Sequence, residues 1–157
     1  MDFDDFYREQ REGLVRLCFL ATLDREAAAD AAQEAMLRAF ADWDTLRDEM
    51  PLAWVRRVAL NVCRSRWRRA QRELRLLPRL FTLPERAEPS DPDLVEALRR
   101  LPLRQREAVV LRYWGALSIE ECATTMGVSV GAVNQHLSRA RAALQGDSAF
   151  VIAEGVA

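Results

Sequence analysis

Apolar residues recur along the chain every three or four positions, and no stretch alternates convincingly in the manner of a strand, which predicts an all-helical protein. Near the start, Phe3, Phe6, Tyr7, Leu14, Leu17 and Ala21 share one face of a helix over about 2–21. A second helix begins after Asp24, a suitable N-cap because its carboxylate can accept from backbone N–H groups left free in the first turn. Its stripe runs Ala28, Ala32, Ala35 or Met36, Ala39 and Trp43, and the alanines permit close packing. After a polar break over 44–50, Pro51 suits the first turn of a third helix, where its missing N–H costs nothing. Leu52, Val55, Val58, Ala59 and Val62 give that helix a core face, and it continues into the run Arg64-Ser-Arg-Trp-Arg-Arg69.

Pro78, Pro84, Pro89 and Pro92 then punctuate a stretch that reads as an extended linker over 78–92. Four shorter helices follow, near 93–100, 103–114, 118–126 and 130–145. The expected organisation is therefore two small helical domains, 1–77 and 93–146, joined by that linker and followed by a mobile or partner-bound tail over 147–157.

The boundary between the last two helices carries the strongest local signal. Ser118-Ile-Glu-Glu121 reads as a capping box, in which serine and glutamate satisfy each other's free backbone donors. Gly127 can adopt the left-handed conformation that ends a helix, Val128 can plug between the helices, and Ser129 can cap the next. Val130, Val133, Leu137, Ala140 and Leu144 then form the expected buried stripe, leaving Ala132, Asn134, Gln135, Ser138, Arg139 and Arg141 largely outward. This is a helix-turn-helix with a polar outer face on its second helix. Asn134 and Gln135 carry bidentate amides suited to a base edge, and Arg139 and Arg141 suit phosphate.

Charge adds a second polyanion signal. The net charge of −1 conceals a segregation: 6 Arg against 13 Asp and Glu over residues 1–53, 10 against 2 over 54–86, and 7 against 9 over 87–157. A basic band between acidic flanks points to a polyanion-binding surface joined to parts with other tasks. In that band, cations interleave with Trp67 just after a helix bearing Trp54 and Asn61, a combination suited to strands with exposed bases. Trp43 is expected in the core.

Other chemistry finds little purchase. Cys18, Cys63 and Cys122 lack any metal-binding or disulfide-framework spacing, and each sits among apolar neighbours as a small hydrophobe would. His136 is the only histidine and has no accompanying ligand at metal spacing, so it is expected to pack or to touch phosphate. All 23 cations are Arg, which removes lysine-based catalysis. No paired carboxylates, nucleophile with base, or phosphate-cradling glycine loop stands at a workable spacing, so neither an enzyme nor a cofactor is expected. The acidic start lacks the pattern of a secretory signal, and no apolar run approaches the ~20 residues that span a bilayer, so a cytoplasmic location without membrane insertion is expected.

Together these residues resemble the extracytoplasmic-function (ECF) sigma factors of the sigma-70 family, over nearly the whole chain. Asp30-Ala-Ala-Gln-Glu34-Ala-Met-Leu-Arg-Ala-Phe40 is similar to the family's second conserved region, and Trp54-Val-Arg-Arg-Val-Ala-Leu-Asn61 with Trp67-Arg-Arg69 to the element that opens and reads the −10 promoter motif. Leu101-Pro102-Leu-Arg-Gln-Arg-Glu107 through Tyr113, with Leu117-Ser118-Ile-Glu-Glu-Cys-Ala123 to Leu144, is similar to the region that reads the −35 motif. The resemblance implies core RNA polymerase and promoter DNA as partners, with an anti-sigma factor as a further one. It assigns Asp30, Gln33, Glu34 and Arg38 to polymerase binding, and Trp54, Arg57, Asn61, Arg64, Arg66, Trp67, Arg68 and Arg69 to −10 DNA. To −35 DNA it assigns Ser129, Ala132, Asn134, Gln135, His136, Ser138, Arg139 and Arg141. By the same resemblance the linker would thread through the polymerase near the RNA exit path. The chain departs from the family at Ser65, where an acidic residue is usual, and at Asn134 and Gln135, where basic residues are usual. Both departures bear on which promoter is read.

Two other readings fit the pattern less fully. An autonomous helix-turn-helix regulator, with residues 1–77 as a sensor or dimerisation unit, would bind duplex DNA tightly without polymerase. A helical adaptor, its basic band meeting acidic proteins, would show no salt-sensitive DNA binding at all.

Overall fold

The computed structural model describes residues 1–76 and 92–146, and these form eight helices: α1 (Phe3–Thr22), α2 (Arg25–Ala41), α3 (Trp43–Leu46), α4 (Pro51–Leu76), α5 (Pro92–Arg99), α6 (Leu103–Tyr113), α7 (Ile119–Met126) and α8 (Val130–Ala143). The linker expected over 78–92 lies outside the described residues except for Pro92, which opens α5, and the tail over 147–157 lies outside them entirely. Among the described residues there is no strand.

Local chemistry sets the helix starts. Asp2 caps α1 by accepting from the Asp5 N–H at 2.9 Å, and Asp24 caps α2 by accepting from the Ala27 N–H at 2.9 Å. One element departs from expectation: the polar break over 44–50 opens with a helical turn, α3, whose Leu46 is buried. Trp43 and Leu46, three residues apart, reach the same core, and that contact outweighs the polar residues between them.

The first core gathers α1, α2 and α4. Ala28, Ala31, Ala32, Ala35 and Ala39 are buried and let α2 lie close against its neighbours, where Phe6, Leu14, Met36, Val55 and Ala59 fill the space. Trp43 packs at its edge, 5.0 Å from the Phe6 ring and 5.3 Å from Phe3 between centroids. The three cysteines are buried and free. Cys18 and Cys63, distant in sequence, meet between α1 and α4; their hydrogen bond, and then burial, push the Cys18 thiol far above its usual value. Burial pushes Cys122 up to about 11. The Cys18 and Cys122 thiols are therefore protonated and unreactive.

The second core is built by α5 to α8 but is not confined to them. Leu17, Leu20 and Ala21 of α1 and Leu60 of α4 belong to the same cluster as Leu98, Val109, Leu111, Met126, Val133 and Leu137. Successive turns of α1 thus bury two faces, Leu14 and Cys18 toward the first core and Leu17, Leu20 and Ala21 toward the second. α4 is divided similarly, with Val55, Ala59 and Cys63 on one side and Leu60 on the other, while Leu52, Val58 and Val62 are only partly covered.

Candidate nucleic-acid interface

The helix-turn-helix forms as its sequence dictates. Ser118 Oγ accepts from the Glu121 N–H at 3.1 Å, and Glu121 Oε2 accepts from the Ser118 N–H at 2.7 Å. Those two bonds hold the Glu121 carboxyl below the usual range. Gly127 takes φ 66°, and its N–H returns to the carbonyls of Ala123 and Thr124. Val128 packs on the second core, and Ser129 Oγ accepts from the Ala132 N–H at 3.1 Å.

In α8, Val133, Leu137, Ala140 and the following Leu144 are buried as expected. Val130 is not; it is 41% exposed, because it occupies the first turn, where the neighbouring helix no longer covers the stripe. The opposite face presents Ser129, Asn134, Gln135, Ser138, Arg139 and Arg141 to solvent, with Ala132 and His136 half-buried. Arg141 donates to the Tyr113 hydroxyl at 2.9 Å. His136 Nδ1 is buried without a hydrogen-bond partner, and burial, then the charges of Arg104 and Arg139, lower its pKa.

The basic band is the outer part of α4. Every residue from 65 to 73 is exposed, so this stretch carries Arg66, Trp67, Arg68, Arg69 and Arg72 as a polar, all-round accessible arm. An exposed helix of this kind needs side-chain pairs for support, and Arg69 pairs with Glu73 one turn on at 3.4 Å. Trp54, on the inner part, is half-buried, while Arg57 and Asn61 are exposed.

Asp30, Gln33, Glu34 and Arg38 line one face of α2, and Arg38 meets Glu34 at 2.7 Å. Beside them Leu37 and Phe40 are 59% and 62% exposed. Leu37 and Phe40 thus add exposed apolar area to the charged row. Sequence periodicity had no means to single these two out. The α2 face and the α4 arm adjoin: Arg66 bonds Asp30 at 2.8 Å, and a cleft of about 310 Å³ is lined by Glu34, Arg38, Asn61, Val62, Ser65 and Arg66.

Arg64 stands apart from its neighbours in the band. It is only 7% exposed, and it donates to the Met126 carbonyl at 2.9 Å and to Asn61 Oδ1, with its Nε 3.6 Å from Glu107 Oε1. Glu107 is fully buried and also meets Arg104 at 2.7 Å. Burial raises its pKa, against the pull of Arg64 and Arg104. Arg106 donates to the Ala21 carbonyl at 3.2 Å. No role was expected of Glu107, Arg104 or Arg106. The available signal was an acid at position 107 on the stripe with Val110 and Leu111, which requires a buried cation to face it.

A helix-turn-helix with an open polar face and an arginine-rich helical arm define a nucleic-acid-binding protein. Comparison with known proteins makes this specific. The sigma-70 region 2 family matches residues 6–73, and the sigma-70 region 4 family matches residues 93–144. The chain is 35% identical over 155 residues to the RNA polymerase sigma-E factor of Streptomyces coelicolor, covering 92% of this chain and 85% of that one. It is 34% identical over 146 residues to the ECF RNA polymerase sigma factor SigM of Mycobacterium tuberculosis, covering 90% and 74%. Its fold is similar to the sigma factor RpoE in complex with the anti-sigma factor NepR from Bartonella quintana, with a TM-score of 0.71 and 26% identity over 90% of this chain and 94% of that one. It is also similar to CnrH in complex with the cytosolic domain of CnrY, with a TM-score of 0.66 and 27% identity over 97% and 88%. The chain belongs to the sigma-70 family and is an RNA polymerase sigma factor of the ECF type.

Proposed function

We propose that this chain directs core RNA polymerase to a set of promoters through three surfaces, and that it contributes recognition and strand opening while catalysis stays with the polymerase. Residues 1–77 form the first domain. Its α2 face, with Asp30, Gln33, Glu34 and Arg38, binds core polymerase, and the exposed Leu37 and Phe40 supply apolar area to that contact. Trp54, Arg57, Asn61, Arg64, Arg66, Trp67, Arg68 and Arg69 of α4 meet the −10 element, the cations taking phosphates and the tryptophans bases that have left the stack. Residues 93–146 form the second domain, and the outward face of α8, including Ser129, Ala132, Asn134, Gln135, His136, Ser138, Arg139 and Arg141, reads the −35 element. The protein acts in the cytoplasm, where its template is.

One observation carries this reading: the open polar face of α8 and the exposed arginine arm of α4 lie in the two segments that match sigma regions 4 and 2. The match of residues 6–73 to sigma-70 region 2 favours a polymerase partner over a regulator that acts alone. The similar RpoE is bound to the anti-sigma factor NepR, which supports a restraining partner of that kind here. Run-off transcription with purified core polymerase on a promoter library tests the proposal. Specific transcripts that require both proteins are the expected result; tight, sequence-specific duplex binding by the chain alone, with no transcripts, would overturn it.

A further inference from the structure

A cavity of about 320 Å³ lies where α1, α4 and the turn after α6 meet, and its lining includes Gln10 and Arg16 of α1, Arg56 of α4, Tyr113 at the end of α6, and Trp114. None of its lining residues belongs to the α2 face, the α4 arm or the outward face of α8. We infer that this cavity binds a single nucleoside phosphate, with Arg56 and Arg16 on the phosphate and Tyr113 and Trp114 against the base. The inference goes beyond the polymerase and promoter surfaces and does not depend on them.

The charge of the cavity selects an anion. Among the described residues that line it are two arginines and no Asp or Glu, although residues 1–53, which supply much of the lining, carry 13 acids against 6 Arg. Arg56 is half-buried yet makes no hydrogen bond or ion pair among the described residues. Burial lowers its pKa, and the Glu121 carboxylate that opposes this shift is already bonded to the Ser118 N–H. A partly dehydrated guanidinium with unspent donors suits phosphate oxygens, which it can hold bidentately. Tyr113 and Trp114 bring two neighbouring aromatic rings, and any base offers a face that stacks on such rings. Gly13 keeps the mouth open. It is exposed within α1, where glycine is unfavourable for the helix, and a Cβ there would meet nothing within 4 Å. The volume stands at the small end of the range for small-molecule sites, about 300–1,000 Å³, which suits a mononucleotide better than a dinucleotide or a strand.

Isothermal titration calorimetry of the full-length chain with GMP, AMP, CMP and UMP tests the inference, with inorganic phosphate and guanosine as control probes. At least one mononucleotide should bind with a Kd below about 1 mM and raise Tm by mass action. It should bind roughly tenfold more tightly than either control, because only the nucleotide engages both the arginines and the rings. Arg56→Gln and Arg16→Gln should each weaken binding by roughly tenfold. Gly13→Leu, whose side chain fills the mouth, should abolish binding at unchanged helix content by circular dichroism. Gly13 is an exposed helical position, so that variant remains informative if Arg56→Gln unfolds. Replacing Arg66, Arg68 and Arg69 together by Ala should leave binding unchanged, since the arm lies outside the cavity. No saturable binding of any of the four nucleotides up to about 1 mM overturns the inference. Binding that survives Gly13→Leu and both single arginine variants, or that is lost with the arm, also overturns it by placing the nucleotide on another surface. Inorganic phosphate or guanosine bound as tightly as the nucleotides would overturn the assignment of a nucleoside phosphate.

Discussion

Asn134, Gln135 and Arg139 lie exposed on one helix, yet their chemistry divides their work. An arginine on phosphate positions α8 without reading sequence, whereas an amide paired with a base edge discriminates by roughly 1–3 kcal/mol. Arg139→Ala should therefore lower transcription from all dependent promoters by similar factors, while Asn134→Ala or Gln135→Ala should reorder preference among single-base −35 variants. Parallel profiles for all these proteins on such a panel would instead assign −35 selection to groove shape. His136 gives a second prediction. Burial and the facing Arg104 and Arg139 lower its pKa, so the unfolded chain binds the imidazole proton more readily than the folded one. Its contribution is full above the unfolded value of about 6.5 and is lost as pH falls through that value toward the lower folded one. Melting followed by circular dichroism should show a fall in Tm between about pH 7 and 5.5 that is smaller in His136→Gln. An equal fall in both would exclude His136 as its source. The place of His136 on α8 was legible from spacing; its orphaned Nδ1 was not, because Arg104 reaches it only through the fold.

Elements defined by local chemistry were the most legible. The starts of α2, α7 and α8 follow from Asp24, Ser118 and Ser129, each bonding a backbone N–H within its own first turn. Tertiary packing neither creates nor overrides such bonds, so sequence suffices to place them. Where burial decides, sequence alone falls short: α3 forms because Leu46 reaches a core made by other helices, and Val130 stays exposed because no neighbour extends that far. The turn between α7 and α8 can be tested directly. Ser118→Ala should destabilise by about 1 kcal/mol through loss of the cap. Gly127→Ala should cost about 1–2 kcal/mol, because a Cβ at φ 66° strains the left-handed backbone although the space around it is open. Chemical denaturation midpoints measure both, and a neutral Gly127→Ala would mean that the turn relaxes without its left-handed residue.

At the scale of the whole molecule, hydrophobic spacing identified which faces are buried but not what buries them. α1 and α4 each read as a single amphipathic stripe, whereas each serves two cores, and the arginine-rich run beginning at Arg64 divides between an exposed arm and one buried residue. The charge segregation did survive folding: the exposed cations of α4 project from 65–73, and the exposed Asp30 marks the acidic side of the boundary through its bond to Arg66. Arg66 is half-exposed and its pair with Asp30 is of the surface kind, worth about 0–1 kcal/mol, so DNA can displace it at little cost. The whole arm should thus act as a phosphate-neutralising surface once polymerase has brought it to a promoter. Each phosphate it neutralises on a single strand contributes about 0.7 to the slope of log affinity against log salt. Replacing Arg66, Arg68 and Arg69 together by Ala should reduce open-complex formation by the holoenzyme and flatten its salt dependence by about 2. The helix content and core affinity of the variant should be unchanged, because all three side chains lie outside both cores. A template with a pre-melted bubble should restore much of the activity if the arm acts in opening. An unchanged salt slope would place the promoter phosphates elsewhere on the molecule.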